Sequence, residues 1–283
     1  MTTQTQKKSC SGTALPPITK AVVLARGLGT RMRADDPSAD LTDEQAKVAA
    51  QGAKGMIDVG RPFLDYVISA LGDAGITDIC LVIGPEHDVF RNYYGKMETT
   101  RLRLHFAIQE EPLGTANAVQ AAESFADDNP IIVVNSDNYY PANALATLVR
   151  GGGSGVIGFE RQAMINKSNI PADRITAFAI LDVDDKGHMK GILEKPSQDV
   201  LKAHPSAPLS MNAWAFSPLV FEACRSIEKS ERGEYEIIDA ADWMTEHGEV
   251  FPVYEVEEGV LDMSRRTDIQ AVKDALKDIP VTL

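Results

Sequence analysis

Four apolar runs, spaced by stretches with helical signals, leave this chain few ways to fold. KAVVLA (20–25), DICLVIG (78–84) and PIIVVNSD (130–137) open on near-continuous apolar residues, and LRLHFAIQ (102–109) reads as a further strand. Apolar runs of this kind suit strands buried on both faces, as in parallel sheets. The intervening helical signals are well punctuated. PFLDYVISALGDAG opens on Pro62, sets Leu64, Val67, Ile68 and Leu71 on one face and stops at Gly75. Further helices are expected over His87–Tyr94, over TANAVQAAESF (115–125) and over PANALATLVR (141–150), the last ended by Gly151, Gly152 and Gly153. Such alternation winds through right-handed βαβ crossovers. The expected fold is α/β and Rossmann-like, with a mostly parallel central sheet and helices on both faces. Ligands bind such sheets at the carboxyl ends of the strands. The loop after Ala25, the segment after Gln109 and the segment after Val134 therefore share one edge.

The second half is less regular and suggests a smaller β-rich part. RITAFAILDVDDKGHMKGILEKP (174–196) reads as a hairpin turning at Asp184–Gly187, and MNAWAFS (211–217) as a strand. PLVFEACRSIEKS (218–230) and IIDAADWM (237–244) read as helices, VFPVYEVEEGVLDM (250–263) as strand material and RRTDIQAVKDAL (265–276) as a closing helix. The expected organisation is a disordered tail over 1–19 and a single domain over 20–283. That domain divides into a first half (20–160), a second half (161–264) and a terminal helix (265–283). No internal repeat is evident. No six-residue period follows residue 250, so a left-handed β-helix is not expected in that stretch.

Charge and cysteine usage exclude several function classes. Lys and Arg number 28 against 41 Asp and Glu, a net charge of −13, the reverse of what a nucleic-acid surface needs. No apolar run approaches the roughly 20 residues of a membrane span. The first 19 residues carry Lys7 and Lys8 but no continuous apolar stretch, so no secretory leader is expected and the cytoplasm is the expected compartment. Cys10, Cys80 and Cys224 lack CxxC spacing, which argues against a disulfide framework or a structural zinc site. In so acidic a chain, a local basic cluster is informative.

One such cluster is RGLGTRMR (26–33), directly after the first strand. Backbone N–H groups of a glycine-rich turn converge on phosphate oxygens, and arginine adds a forked donor. The turn is not the dinucleotide fingerprint GxGxxG, because Met32 stands where its last glycine belongs, and the GxxxxGK[ST] loop is absent. Four segments accompany it: GAKGMIDVGRPFLDYVISAL with Lys54, QEEPLGTANAV opening a helix after Pro112, VVNSDNYYP ending a strand on Asp137, and ILEKP with Glu194 and Lys195.

In this order, over roughly residues 20–265, these segments resemble the sugar-1-phosphate nucleotidylyltransferases. That group includes glucose-1-phosphate thymidylyl- and uridylyltransferases and mannose-1-phosphate guanylyltransferases. The resemblance implies a GT-A type fold, an active Mg²⁺-dependent enzyme, and two partners, a nucleoside triphosphate and a sugar (or cyclitol) 1-phosphate. A homo-oligomer is compatible with it. It implies that Leu24, Ala25, Arg26, Gly27, Gly29, Thr30 and Arg31 wrap the triphosphate, with Lys54 on a phosphate. Gln109, Pro112, Gly114 and Thr115 then meet the base. Asp137 binds Mg²⁺ with Asp262 as second carboxylate, preferred over Asp268, whose place at a helix start gives it a capping role. Asn138, Glu194, Asn212 and Trp214 line the sugar pocket, with Lys195 on the sugar phosphate. Arg31, Lys54 and Asp137 are the expected catalytic groups.

The chain also departs from that pattern. Arg26 replaces a small residue, Ala53 and Asp58 replace two prolines around Lys54, and NSD replaces GD. The stretch between Arg31 and Lys54 is longer than in compact members. Within it Thr42 and Gln45 make a capping-box pattern and Gly52 a helix stop, an expected helical lid near the triphosphate. The run EEPLGTA leans the base slightly toward GTP, with UTP and dTTP next. Competing readings are a GT-A glycosyltransferase, which usually carries a DxD pair absent here, a non-catalytic regulatory homologue, and a cytidylyltransferase for a non-sugar alcohol phosphate.

Overall fold

A computed structural model of the chain describes residues 15–27, 29–34, 36, 39 and 41–283. In the first half, β1 (Lys20–Leu24) leads through the glycine turn to α1 (Thr30–Arg33), α2 (Asp43–Gln51) and a 3-10 turn at Lys54–Met56. Then follow α3 (Phe63–Asp73), β2 (Asp78–Ile83), α4 (Asp88–Tyr94), β3 (Arg103–Ile108), α5 (Thr115–Ala121), α6 (Glu123–Ala126) and β4 (Ile131–Asn135). A two-residue β5 (Asn138–Tyr139), α7 (Ala142–Gly151) and β6 (Gly155–Phe159) complete it. The second half adds α8 (Arg161–Lys167), α9 (Ala172–Ile175), β7 (Ile180–Val183), β8 (Met189–Leu193), α10 (Gln198–Ala203) and β9 (Leu209–Phe216). It ends with α11 (Leu219–Ser226), α12 (Ile237–Glu246), β10 (Val253–Val256), β11 (Leu261–Asp262) and α13 (Asp268–Leu276).

The main sheet runs β10-β6-β9-β4-β1-β2-β3, with the β7–β8 hairpin attached through Ile180 to Leu209 of β9. The expected parallel core is present: β1 pairs in parallel with β2 and with β4, and β2 with β3. β9 runs antiparallel between β4 and β6. Side-chain alternation along the buried strands divides the apolar residues into two layers. Ala21, Val23, Ile79 and Leu81 join α3 and α7 residues such as Leu64 and Leu148 on one face. Val22, Cys80, Val82 and Val133 join Val119, Phe221 and Ile237 on the other. Burying each Val or Leu of this kind stabilises by roughly 1.5–3 kcal/mol.

Some local expectations needed correction. The helix expected over 115–125 is two helices, because Ala122 leaves helical geometry (φ −93°, ψ 7°). The Lys20 ammonium then caps the carbonyls of Phe125 and Ala126. The expected hairpin begins only at Ile180, because Pro171 starts helix α9 before it. α8, capped by the Glu160 carboxylate on the N–H groups of Gln162 and Ala163, was not anticipated. The capping box before α2 is present, with Thr42 Oγ1 accepting from Gln45 N and Gln45 Oε1 from Thr42 N, and Gly52 ends the helix at φ 75°. Of the expected tail over 1–19, residues 1–14 lie outside the described residues, while Ile18 is buried and its N–H donates to Val149 O. Among the described residues no helix is long and apolar enough to cross a membrane.

Asp78 opens β2 and accepts from Arg103 Nε (2.7 Å) and Nη2 (2.6 Å) and from Thr77 Oγ1 (2.9 Å). The Arg103 guanidinium is the main reason its carboxyl is held down to about 2, from 3.8. A carboxyl with a lowered folded pKa adds stability above its unfolded value and loses it as pH falls through the folded one. Asp78→Asn is therefore expected to flatten the loss of stability between about pH 4 and pH 2, read as urea midpoints across that range. An acid limb identical to the parent would remove Asp78 from acid stability.

Candidate active site

The carboxyl ends of β1, β3 and β4 open into one cleft of about 230 Å³. Parallel pairing forces this convergence: Ala25 N donates to Val82 O, Ser136 N to Leu24 O and Gln109 N to Ile83 O, so adjacent strands end level. Leu24, Ala25, Arg26 and Gly27 form one wall, and Asn135, Ser136 and Asp137 the floor. Gln109, Pro112, Gly114 and Thr115 form the opposite wall, and Lys54 and Gly52 close one side. The structure thus brings together ten of the residues expected from sequence.

Three others lie beside this cleft. Gly29 adopts φ 60° and abuts Gly52, whose Cα would lie 2.7 Å from an added Cβ. This contact turns the chain into α1, where Thr30 and Arg31 are exposed and do not line the cleft. The insertion helix α2 therefore supports the glycine turn directly through Gly52. Arg26 lines the cleft, and its guanidinium bonds the Gln109 carbonyl and the Glu86 carboxylate (3.3 Å).

On the opposite wall Gln109 is buried, and its Nε2 donates to Gly114 O (3.0 Å) and Asn117 Oδ1 (2.9 Å). Gly114 sits at φ 118° against Tyr235, whose backbone N lies 2.7 Å from where a Cβ would be. Tyr235 N donates to Leu113 O, Ala116 N to Tyr235 O, and Ile237 N to Thr115 Oγ1. The GTA turn is thereby fastened to the start of α12.

The floor carries the charges. Lys54 Nζ pairs with Asp137 Oδ2 at 2.8 Å, both side chains partly exposed. The short β5–β11 ladder sets Asp262 opposite Asn138, next to Asp137 in the chain, and Met263 N donates to Asp137 O. Asp262 is buried, and burial foremost, then the Asp137 charge, raises its carboxyl above the usual range. Its Oδ1 accepts from Asn138 Nδ2 (3.2 Å) and Ser264 Oγ (2.9 Å), and its Oδ2 pairs with Arg174 (3.0 Å). Asn138, expected at the sugar, is instead buried behind Asp262 and orients it. Asn169 holds the Asp262 main chain through both its N and its O. Arg174 and Asn169 come from segments without a motif, so sequence reading missed them. Asp137, partly exposed in the cleft, offers a hard carboxylate suited to a divalent cation, whereas Asp262 lies outside the cleft lining and joins it only by exchanging one of its present donors. Among the described residues no cluster of three such ligands exists.

A second cavity of about 280 Å³ shares Leu24, Thr115, Asn135 and Glu234 with the first. Glu194, Asn212 and Trp214 line it as expected. Asn212 takes a left-handed backbone (φ 56°). Trp214 is fully buried, stacked on Phe216, with its Nε1 unpartnered. Lys195, at a left-handed backbone (φ 44°), lines an outer cavity that shares Glu194, Arg232, Glu236 and Ile238 with the second. Arg232 was missed: within RGEYEIID, its Nη2 pairs with Glu236 (2.9 Å) and faces Glu194 (3.8 Å). In the outer cavity burial, then Asp239 and Glu246, push Asp242 up to about 6.

Residues 20–259 match the family described as nucleotidyl transferase. The chain belongs to that family. The motif resemblance to sugar-1-phosphate nucleotidylyltransferases is borne out. A glucose-1-phosphate thymidylyltransferase of Streptomyces griseus is 29% identical over 81% of this chain and 58% of its own length, so the chain spans less than two thirds of that relative. A UTP–glucose-1-phosphate uridylyltransferase of Haloferax volcanii (AglF) is 26% identical over 92% of this chain and 97% of its own. A solved UDP-glucose pyrophosphorylase with UDP-glucose superposes at a TM-score of 0.71, 16% identity, over 93% of this nucleotidyl transferase and all of the other chain. That similarity shows the fold.

Gly114→Ala in this nucleotidyl transferase is expected to destabilise by about 2–3 kcal/mol, from strained φ and the clash with Tyr235. Chemical denaturation checks it. A loss under 0.5 kcal/mol, the ordinary surface range, would mean that the turn relaxes freely.

Proposed function

We propose that the protein transfers a nucleotidyl group from a nucleoside triphosphate to a sugar (or cyclitol) 1-phosphate, releasing pyrophosphate. One observation carries this reading: a cleft holding the glycine turn, Lys54 and Asp137 opens directly into a cavity with Glu194, Asn212 and Arg232. Two anionic substrates fit such a pair of joined cavities, each with its own cation.

An oxygen of the sugar phosphate attacks the α-phosphorus, and the bond to the β-phosphate bridging oxygen breaks. Pyrophosphate leaves with that electron pair. The attacking oxygen is already anionic, so no side chain need remove a proton. Lys54 and Arg232 offset repulsion between the reactants, and the cavity walls align them. Asp137 and Asp262 would hold Mg²⁺, which when bound supplies positive charge to the reacting phosphates. No covalent intermediate is invoked. Burial pushes the thiols of Cys80 and Cys224 up to about 12, which leaves neither as a ready nucleophile.

We further propose UTP or dTTP as donor. Both hydrogens of Gln109 Nε2 are engaged, so Oε1 is left to face a base and calls for an N–H partner. Uracil and thymine offer one at the ring N3, whereas cytosine and adenine offer one only at their exocyclic amino groups, beside a ring acceptor. Guanine also offers one, but the names of the reported relatives favour a pyrimidine. The lean toward GTP rested on EEPLGTA, whose Glu110 and Glu111 are exposed and outside the cleft.

A pyrophosphate-release assay with Mg²⁺, crossing four triphosphates against sugar and cyclitol 1-phosphates, tests the reading. Release is expected with UTP or dTTP, and folded protein that binds no triphosphate would overturn it. Asp137→Asn is expected to lower kcat by about 10²-fold or more, with an unchanged circular-dichroism spectrum. Arg232→Ala is expected to raise KM for the sugar phosphate about tenfold, near 1.4 kcal/mol, while KM for the triphosphate moves little. An unchanged sugar-phosphate KM would place Arg232 outside the acceptor site.

A further inference from the structure

Arg26 breaks an otherwise small-residue turn with a long cation, yet its guanidinium is not left facing the cleft. The side chain is 9% accessible. Nη1 donates to the Gln109 main-chain carbonyl, Nε to Glu86 Oε1 (3.4 Å) and Nη2 to Glu86 Oε2 (3.3 Å). The pair lies across Gly84, where a Cβ would come 2.5 Å from Arg26 Nε. The Gly84–His87 turn is itself closed: Gly84 N donates to His87 Nδ1, and His87 N to Gly84 O. One guanidinium therefore ties together the ends of β1, β2 and β3.

The result concentrates on Gln109. Its N–H is held by Ile83 O, its C=O by Arg26, and its Nε2 by Gly114 and Asn117. Only Oε1 is left to read a base, in a position fixed from all sides. A forked, planar guanidinium suits this bridging task in a way that an ammonium does not.

We propose that Arg26 is a positioning residue for base recognition, holding Gln109 in register through its pair with Glu86 instead of binding phosphate. This rests on the nucleotidyl-transfer reading. The two can be tested together, because calorimetric nucleotide binding does not require turnover. UTP, dTTP, GTP and CTP are titrated into the parent, Arg26→Ala and Glu86→Ala, and pyrophosphate release is measured with the best donor. Glu86 is half-exposed, so its removal tests the pair even if Arg26→Ala fails to fold. Both variants are expected to reduce the preference for UTP over CTP about tenfold, with the kinetic loss falling on the nucleotide KM rather than kcat. Arg26→Lys should recover little of it. An unchanged base preference in Glu86→Ala would overturn the proposal. So would tighter binding of all four triphosphates in that variant, the result expected if Glu86 merely restrained a phosphate-binding arginine. A parent that binds none of the four would overturn the nucleotidyl-transfer reading itself.

Discussion

The structure depends on β1 being paired in parallel on both sides. Lys20 to Leu24 run level with Asp78 to Val82 on one flank and with Ile131 to Asn135 on the other. Parallel ladders have slanted, evenly spaced hydrogen bonds and place every strand end of one polarity on the same edge. The glycine turn, Gln109 and Asp137 are spread over more than a hundred residues of sequence. They meet because these strands cannot slip: a one-residue shift would turn Val22 and Val23 to the wrong apolar layers.

Four cations on this edge are already matched by carboxylates. Lys54 holds Asp137, Arg174 holds Asp262, Arg232 holds Glu236 and Arg26 holds Glu86. A chain with net charge −13 can thus keep a basic site folded without a ligand. The pairs at Lys54 and Arg232 are partly exposed and contribute little to stability on their own. Their looseness suits exchange of a carboxylate partner for a phosphate. The Arg174 pair is more enclosed and shares its acid with Asn138 and Ser264, which makes Asp262 the more rigid of the two floor carboxylates.

Much of this was legible from sequence because it is local and periodic. The apolar runs gave the strands, Pro62 and Gly75 bounded α3, and Thr42 with Gln45 marked α2. Strand-end motifs placed Lys54, Gln109, Gly114 and Asp137 in the cleft. What was missed depends on side-chain direction and on partners distant in the chain. Asn138 follows the motif Asp137, yet alternation in β5 turns it toward Asp262. Arg174 and Asn169 carry no pattern, and only the packing of α8 and α9 beside β11 reveals their use.

β9 has a mechanical consequence. This strand comes from the second half of the chain and carries Asn212 and Trp214 of the second cavity, yet it is stitched between β4 and β6 of the first half. The two cavities therefore share one stiff floorboard rather than two plates meeting at a hinge, so the spacing between them is built in at folding. Any gating is left to the rim: the glycine turn leaning on Gly52, and the segment that carries Arg232.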